Sequence, residues 1–227
     1  MIGQLSPLYS AENITTLLDV YHPSYNLTQT FETDGLHGAT ANDVSGIAVG
    51  YPQTLNNFLA ELIFVCPAYW HAGAYTGPSQ PGQAAYYYQF SVPIAGHAED
   101  IYAYFGPLKA NQGPELMAAF AGMLGSFVRT GNPSISDRVA NGVSAPDPDA
   151  HNPASAWPAW TDGSPLLINM NTTGGTPIPF KHSWGSGIEF VGPGLRNRFT
   201  AVDARAWEGG RGQRCELLRK MGPLLPQ

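Results

Sequence analysis

The chain has 227 residues, 43% of them hydrophobic and 12% charged, with 26 glycines, 20 prolines and a formal net charge of -6. That length supports one sizeable core, and the glycine and proline content excludes a plain helical bundle. No apolar run reaches the ~18 residues of a membrane span, and the opening MIGQLSPLYS carries no visible signal peptide.

The spacing of Ile14, Leu17 and Leu18 predicts a helix over about 11–20, stopped by Tyr21-His22-Pro23. Asn13-Ile14-Thr15 and Asn26-Leu27-Thr28 are glycosylation sequons. Residues 26–50 are polar and glycine-dotted and read as loop, with His37 lacking any metal-ligand neighbour. The strongest helix signal is Thr54–Trp70, where Leu55, Phe58, Leu59, Leu62, Cys66, Tyr69 and Trp70 form one apolar stripe and Thr54 is the expected N-cap. Cys66 falls on that buried face, either as a core thiol or as half of a disulfide.

The aromatic run Ala84–Val92 predicts a strand with little alternation, covered on both faces. It is followed by Gly96-His97-Ala98-Glu99-Asp100-Ile101 and then Tyr102-Ala103-Tyr104-Phe105-Gly106. A histidine just past a strand end can serve as a general base, because its ordinary pKa near ~6.5 lets it take and return a proton. Taken alone, His97 reads more readily as a surface histidine after a strand.

A second helix is expected over Pro114–Arg129, then a long exposed loop over Ser134–Ser155. Trp157–Trp160 re-enters the core, and Pro165–Met170 predicts a short strand closed by a turn at Thr172–Thr176. Asn171-Thr172-Thr173 is the third sequon. Another short strand is expected at Ile188–Val191, and a terminal helix over Gly212–Met221 carries Cys215.

Charge is uneven along this path. Residues 1–108 hold eight acids and no Lys or Arg, whereas residues 196–220 hold six Arg and one Lys. A basic tail can meet nucleic acid, but Trp207, Leu217, Leu218 and Met221 in the same segment require a core. The expectation is that the tail folds back on the acidic part of its own chain, with no nucleic acid partner. Three sequons and one even pair of cysteines lean toward a secreted context. No His or Cys pair has metal-ligand spacing, so neither metal nor cofactor is expected. With no repeat or linker, the whole chain reads as one domain.

His97-x-x-Asp100-Ile101 followed by aromatics and Gly106 resembles the histidine loop of the type-B carboxylesterases, the cholinesterase-like α/β-hydrolases. In that family the loop reads His-Gly-x-Glu-Ile, so Ala98 and Asp100 stand where it has Gly and Glu. Phe64-Val65-Cys66-Pro67, Thr130-Gly131-Asn132-Pro133, Trp157-Pro158 and Leu166-Leu167-Ile168-Asn169 continue the resemblance in order. Gly194-Leu195-Arg196-Asn197 and Trp207-Glu208-Gly209-Gly210 look like its secreted fungal branch. The likeness is strongest over residues 50–227.

The resemblance implies the C-terminal portion of an α/β-hydrolase fold, a single partial domain with few strands and several helices. It implies a disulfide between Cys66 and Cys215, and makes His97 the histidine of a Ser-Glu-His triad with Asp100 supporting its loop. The substrate would be a small-molecule or lipid ester. No serine here has the Gly-x-Ser-x-Gly setting, and neither the oxyanion segment nor the acid's stretch is present. The nucleophile and acid are therefore expected upstream, the missing N-terminal part of the fold is needed, and the chain alone should be inactive. The alternative is a non-catalytic cholinesterase-like adhesion protein or a decayed gene product.

Overall fold

A computed structural model describes residues 7–21, 51–76, 82–93, 95–182 and 185–224. His37 and the Asn26 sequon lie outside them. Helix α1 (Ala11–Val20) starts on a reciprocal capping box. The Ser10 hydroxyl accepts from the Asn13 amide at 3.1 Å, and Asn13 Oδ1 accepts from the Ser10 amide at 3.0 Å.

The expected 54–70 helix is longer and interrupted: α2 (Tyr51–Ala60), a π-helical turn (Glu61–Val65) and α3 (Cys66–Ala74). Thr54 is therefore not an N-cap. It lies inside α2 at 3% exposure, and Pro52 occupies the first turn, where its missing N–H breaks no bond. Strand β1 is only Tyr88–Phe90, and α4 (Asp100–Phe105) follows the histidine loop. Helix α5 (Gly113–Thr130) buries Leu116, Ala119, Phe120 and Met123 and ends on Gly131 in the left-handed conformation.

Residues 134–155 are more structured than a loop. They contain α6 (Asp137–Asn141) and a 3-10 turn at Pro153–Ala156. Asn152, 4% exposed, donates to Asn141 and accepts from the Ala154 amide, which fixes a segment otherwise too polar to predict.

Strands β2 (Leu166–His182) and β3 (Gly185–Asp203) form a long antiparallel ribbon with a bulge between Gly174 and Thr176. The turn expected at Thr172–Thr176 is in fact strand. β1 pairs with β2 in parallel only over Ile168–Met170, so the outer edge of β2 beyond Met170 has no partner among the described strands. Pro177 and Pro179 can occupy that edge because their absent N–H groups leave no ladder bond unmade. Helix α7 (Trp207–Met221), interrupted near its start by left-handed Glu208, Gly209 and Gly210, and a 3-10 turn at Gly222–Leu224 complete the described elements.

The class is α/β with a three-stranded mixed sheet in the order β1-β2-β3. Strand alternation divides the core in two. Leu167 and Tyr87 pack with Leu17, Phe58, Cys66, Tyr69 and Leu218. Ile168, Met170, Tyr88 and Phe90 pack with Leu116, Phe120, Met123 and Trp157. Helices α1, α2, α3 and α7 thus cover one face of the sheet and α5 the other. Each fully buried Leu, Phe or Met contributes about 1.5–3 kcal/mol relative to exposure.

The two cysteines form a disulfide joining α3 to α7, with Cα atoms 5.0 Å apart and both residues fully buried. No helix among the described residues is long and apolar enough to cross a membrane.

Candidate functional site

His97 follows the carboxyl end of β1, on a tight loop whose backbone is set by Ala95 (φ 50) and Ala98 (φ 64). Its imidazole is exposed and lies against the Phe64 ring, with centroids 4.8 Å apart. Phe64 comes from the π-helical turn, so the irregular turn of the long helix places its ring at the histidine. His97 makes no hydrogen bond or ion pair among the described residues.

The loop itself is held from three directions. Gln112 Nε2 donates to the Glu99 carbonyl at 2.8 Å, Lys109 pairs with the Glu99 carboxylate, and the Tyr88 hydroxyl donates to Asp100 Oδ2 at 2.6 Å. Burial raises the Tyr88 pKa, and the neighbouring Tyr104 and Asp100 raise it further, so this hydroxyl remains a donor. Asp100 therefore ties helix α4 to β1 through a side chain, and its carboxylate turns to Tyr88 rather than to the imidazole.

Ala98 occupies a left-handed conformation that disfavours a Cβ by ~1–2 kcal/mol, more than the unfolded-state entropy that glycine adds. Ala98→Gly is expected to raise stability by about 0.5–1 kcal/mol. The opposite sign is expected for Ala118→Gly, on the exposed face of α5, at a cost of about 1 kcal/mol. Denaturant midpoints of the two variants check this, and a destabilised Ala98→Gly would refute it.

A cleft of about 410 Å3 opens beside the loop. One wall is the unbroken run Tyr86–Phe90, and Phe64, Gly96, Asp100 and Arg211 close the others. Tyr88–Phe90 of that run form β1, whose second edge has no partner among the described strands.

Behind it lies a buried polar network that sequence reading did not single out. Glu61, 2% exposed, accepts from Arg214 Nε at 2.8 Å, Arg211 Nε at 3.2 Å and the Tyr21 hydroxyl at 2.6 Å. Arg211 Nη1 and Trp207 Nε1 both donate to Gln89 Oε1, and Gln89 Nε2 donates to Glu208 Oε1. Ser91 links the chain to buried Asn169. Glu61 and Glu208 balance Arg211 and Arg214, and so the basic tail does fold back on the acidic part of the chain. The available signal was Glu61 itself, a carboxylate flanked by Phe58 and Leu62 on an apolar stripe.

Of the two described sequons, Asn13 is half-buried and uses its Oδ1 in the capping box. Asn171 is 3% exposed within β2, where a glycan would have to displace the surrounding packing. Among the described residues, no group of three His, Cys, Asp or Glu side chains is placed to hold a metal ion.

Neither a protein-family model, nor a curated protein, nor a solved structure matches this chain.

Proposed function

We propose that the chain supplies the catalytic histidine of a serine ester hydrolase, with the nucleophile and the acid contributed by polypeptide outside these residues. The observation that carries the reading is the setting of His97. It is an exposed imidazole beyond the carboxyl end of a strand, on a multiply anchored loop beside an open aromatic cleft, with no group of the described chain bonded to it. In such an enzyme a serine hydroxyl attacks the ester carbonyl, His97 takes its proton and returns it to the leaving alcohol, and a separate carboxylate orients the ring. Asp100, engaged by Tyr88, positions the loop. The edge of β1 that lacks a partner among the described strands is where the rest of the sheet would join. The aromatic cleft suits small-molecule or lipid esters. The buried disulfide is compatible with a secreted parent protein.

The chain alone is expected to hydrolyse short-chain p-nitrophenyl esters no faster than free imidazole. Each missing oxyanion donor costs about 100- to 1000-fold in rate, and a missing nucleophile costs more. Joined to the polypeptide encoded in frame upstream, the protein should turn over, His97→Ala should abolish that turnover, and Asp100→Asn should reduce it less. Serine-reagent-sensitive turnover by the 227 residues alone would overturn the assignment of the nucleophile. An inactive longer protein would overturn the enzyme reading in favour of an adhesion role.

A further inference from the structure

The run that contains β1 bonds inward through alternate residues. The Trp160 N–H donates to the Ala85 carbonyl at 2.8 Å, the Ile168 N–H to the Tyr87 carbonyl at 3.1 Å, and the Ser91 N–H to the Met170 carbonyl at 2.8 Å. In an extended chain the intervening residues turn their N–H and C=O groups the other way. Tyr86, Tyr88 and Phe90 therefore direct theirs to the second edge, where no partner meets them among the described residues. The 410 Å3 cleft lies beside these same residues, so the row is reachable from outside.

Elsewhere the sheet is guarded against added strands. β2 beyond Met170 carries Pro177 and Pro179, and β3 carries Glu189, Pro193, Arg196 and Arg198. Proline and charge on an edge hinder pairing with another strand. The run Ala84–Val92 contains neither.

The walls of the cleft restrict what can enter. Phe64, Val65 and Ala68 stand on one side and Asp100 on the other. Both charged residues of the lining are already bonded, Asp100 by Tyr88 and Arg211 to Glu61 and Gln89. A charged side chain entering here would lose water without gaining a counter-ion.

We propose that the cleft is a strand-addition site, which takes an extended, uncharged segment of polypeptide from outside these 227 residues. Donors and acceptors alternating at strand spacing are matched by another extended backbone. The five residues Tyr86–Phe90 offer an edge of about 17 Å, at ~3.4 Å per residue. The proposal rests on the reading that polypeptide outside these residues completes the sheet. Strand binding requires no turnover, so its failure and that of the hydrolase reading are distinguishable.

The test is backbone-amide hydrogen exchange, followed by NMR on the oxidised full chain. Without peptide, the Tyr88 and Phe90 amides are expected to exchange at least about 10-fold faster than those of Gln89 and Ser91. The probe is acetyl-Lys-Thr-Val-Ala-Val-Thr-Lys-amide, uncharged between its solubilising lysines. It should bind with a Kd at or below about 1 mM. At about ten times that concentration it should slow the Tyr88 and Phe90 amides about 10-fold and leave Gln89 unchanged. The same peptide N-methylated at its five core residues, or with Asp in place of Ala, should bind at least about 10-fold more weakly. Absence of saturation up to about 10 mM would overturn the site. Equal binding of the N-methylated peptide would overturn strand pairing, and equal binding of the Asp peptide would overturn the preference for an uncharged segment. Tyr88 and Phe90 amides as protected as Gln89 without peptide would also overturn the proposal. Protection that rises with protein concentration would then assign the edge to a second copy, and protection that does not would assign it to the chain itself.

Discussion

Unfolding of the Cys66→Ala/Cys215→Ala double variant is expected to require about 5 kcal/mol less free energy than unfolding of the oxidised chain. The bridge spans a sequence separation of 149, and in the chain-entropy model a loop of that size restricts the unfolded ensemble by roughly this amount. Removing the buried sulfurs also thins the packing between α3 and α7. Against a typical total of ~5–15 kcal/mol for a domain, the variant should sit near the folding threshold. Denaturant titrations of the oxidised chain and the variant measure the difference. Peptide mapping without reductant should recover the linked Cys66 and Cys215 peptides. A loss below about 1 kcal/mol would show that the denatured chain is already constrained without the bridge.

Glu61→Ala should rank next. The substitution leaves Arg211 and Arg214, the latter 3% exposed, without the carboxylate that both bond. Breaking one partner out of a buried ion network costs about 3–5 kcal/mol, because the remaining charge cannot return to water. For a chain of this length that corresponds to a Tm lower by about 6–20 °C. Glu216→Ala is the control: it removes an exposed pair with Arg219, expected to matter by no more than about 0.5 kcal/mol. Equal thermal shifts in the two variants would refute a stabilising role for the network. Burial and the nearby Glu61 both raise the Tyr21 pKa, so its hydroxyl continues to donate to Glu61 across the usual pH range.

What the sequence disclosed follows from how local each signal is. Helix α1 was legible from its short apolar spacing and the stop at Tyr21-His22-Pro23, although its capping box of Ser10 and Asn13 went unread. The stripe Leu116, Phe120 and Met123 likewise located α5. The start of β2 was read, but its continuation beyond Met170 was hidden, since Gly174, Gly175, Pro177 and Pro179 carry turn signals, and only pairing with β3 overrides them. Strand β1 showed more alternation than was expected. Tyr86, Tyr88 and Phe90 pack on one face, whereas Gln89 and Ser91 enter the polar network on the other. The His97 loop was found through its motif, but its anchors were not. Tyr88, Lys109 and Gln112 reach the loop from separate elements, and no spacing in a single sequence encodes that convergence. The Glu61 network was missed for the same reason, its partners lying 150 and 153 positions away.

That separation also sets an order of events during synthesis. At roughly 5–20 residues per second, the ribosome releases α2 and α3 well before α7. Until α7 emerges, Glu61 lacks both guanidinium partners and Cys66 lacks its thiol partner. The opposite face, built from α5, β2 and β3, depends on neither and can consolidate first. A nascent chain stopped before Trp207 therefore presents one finished side and one open side, with the Cys66 thiol still single on the open one.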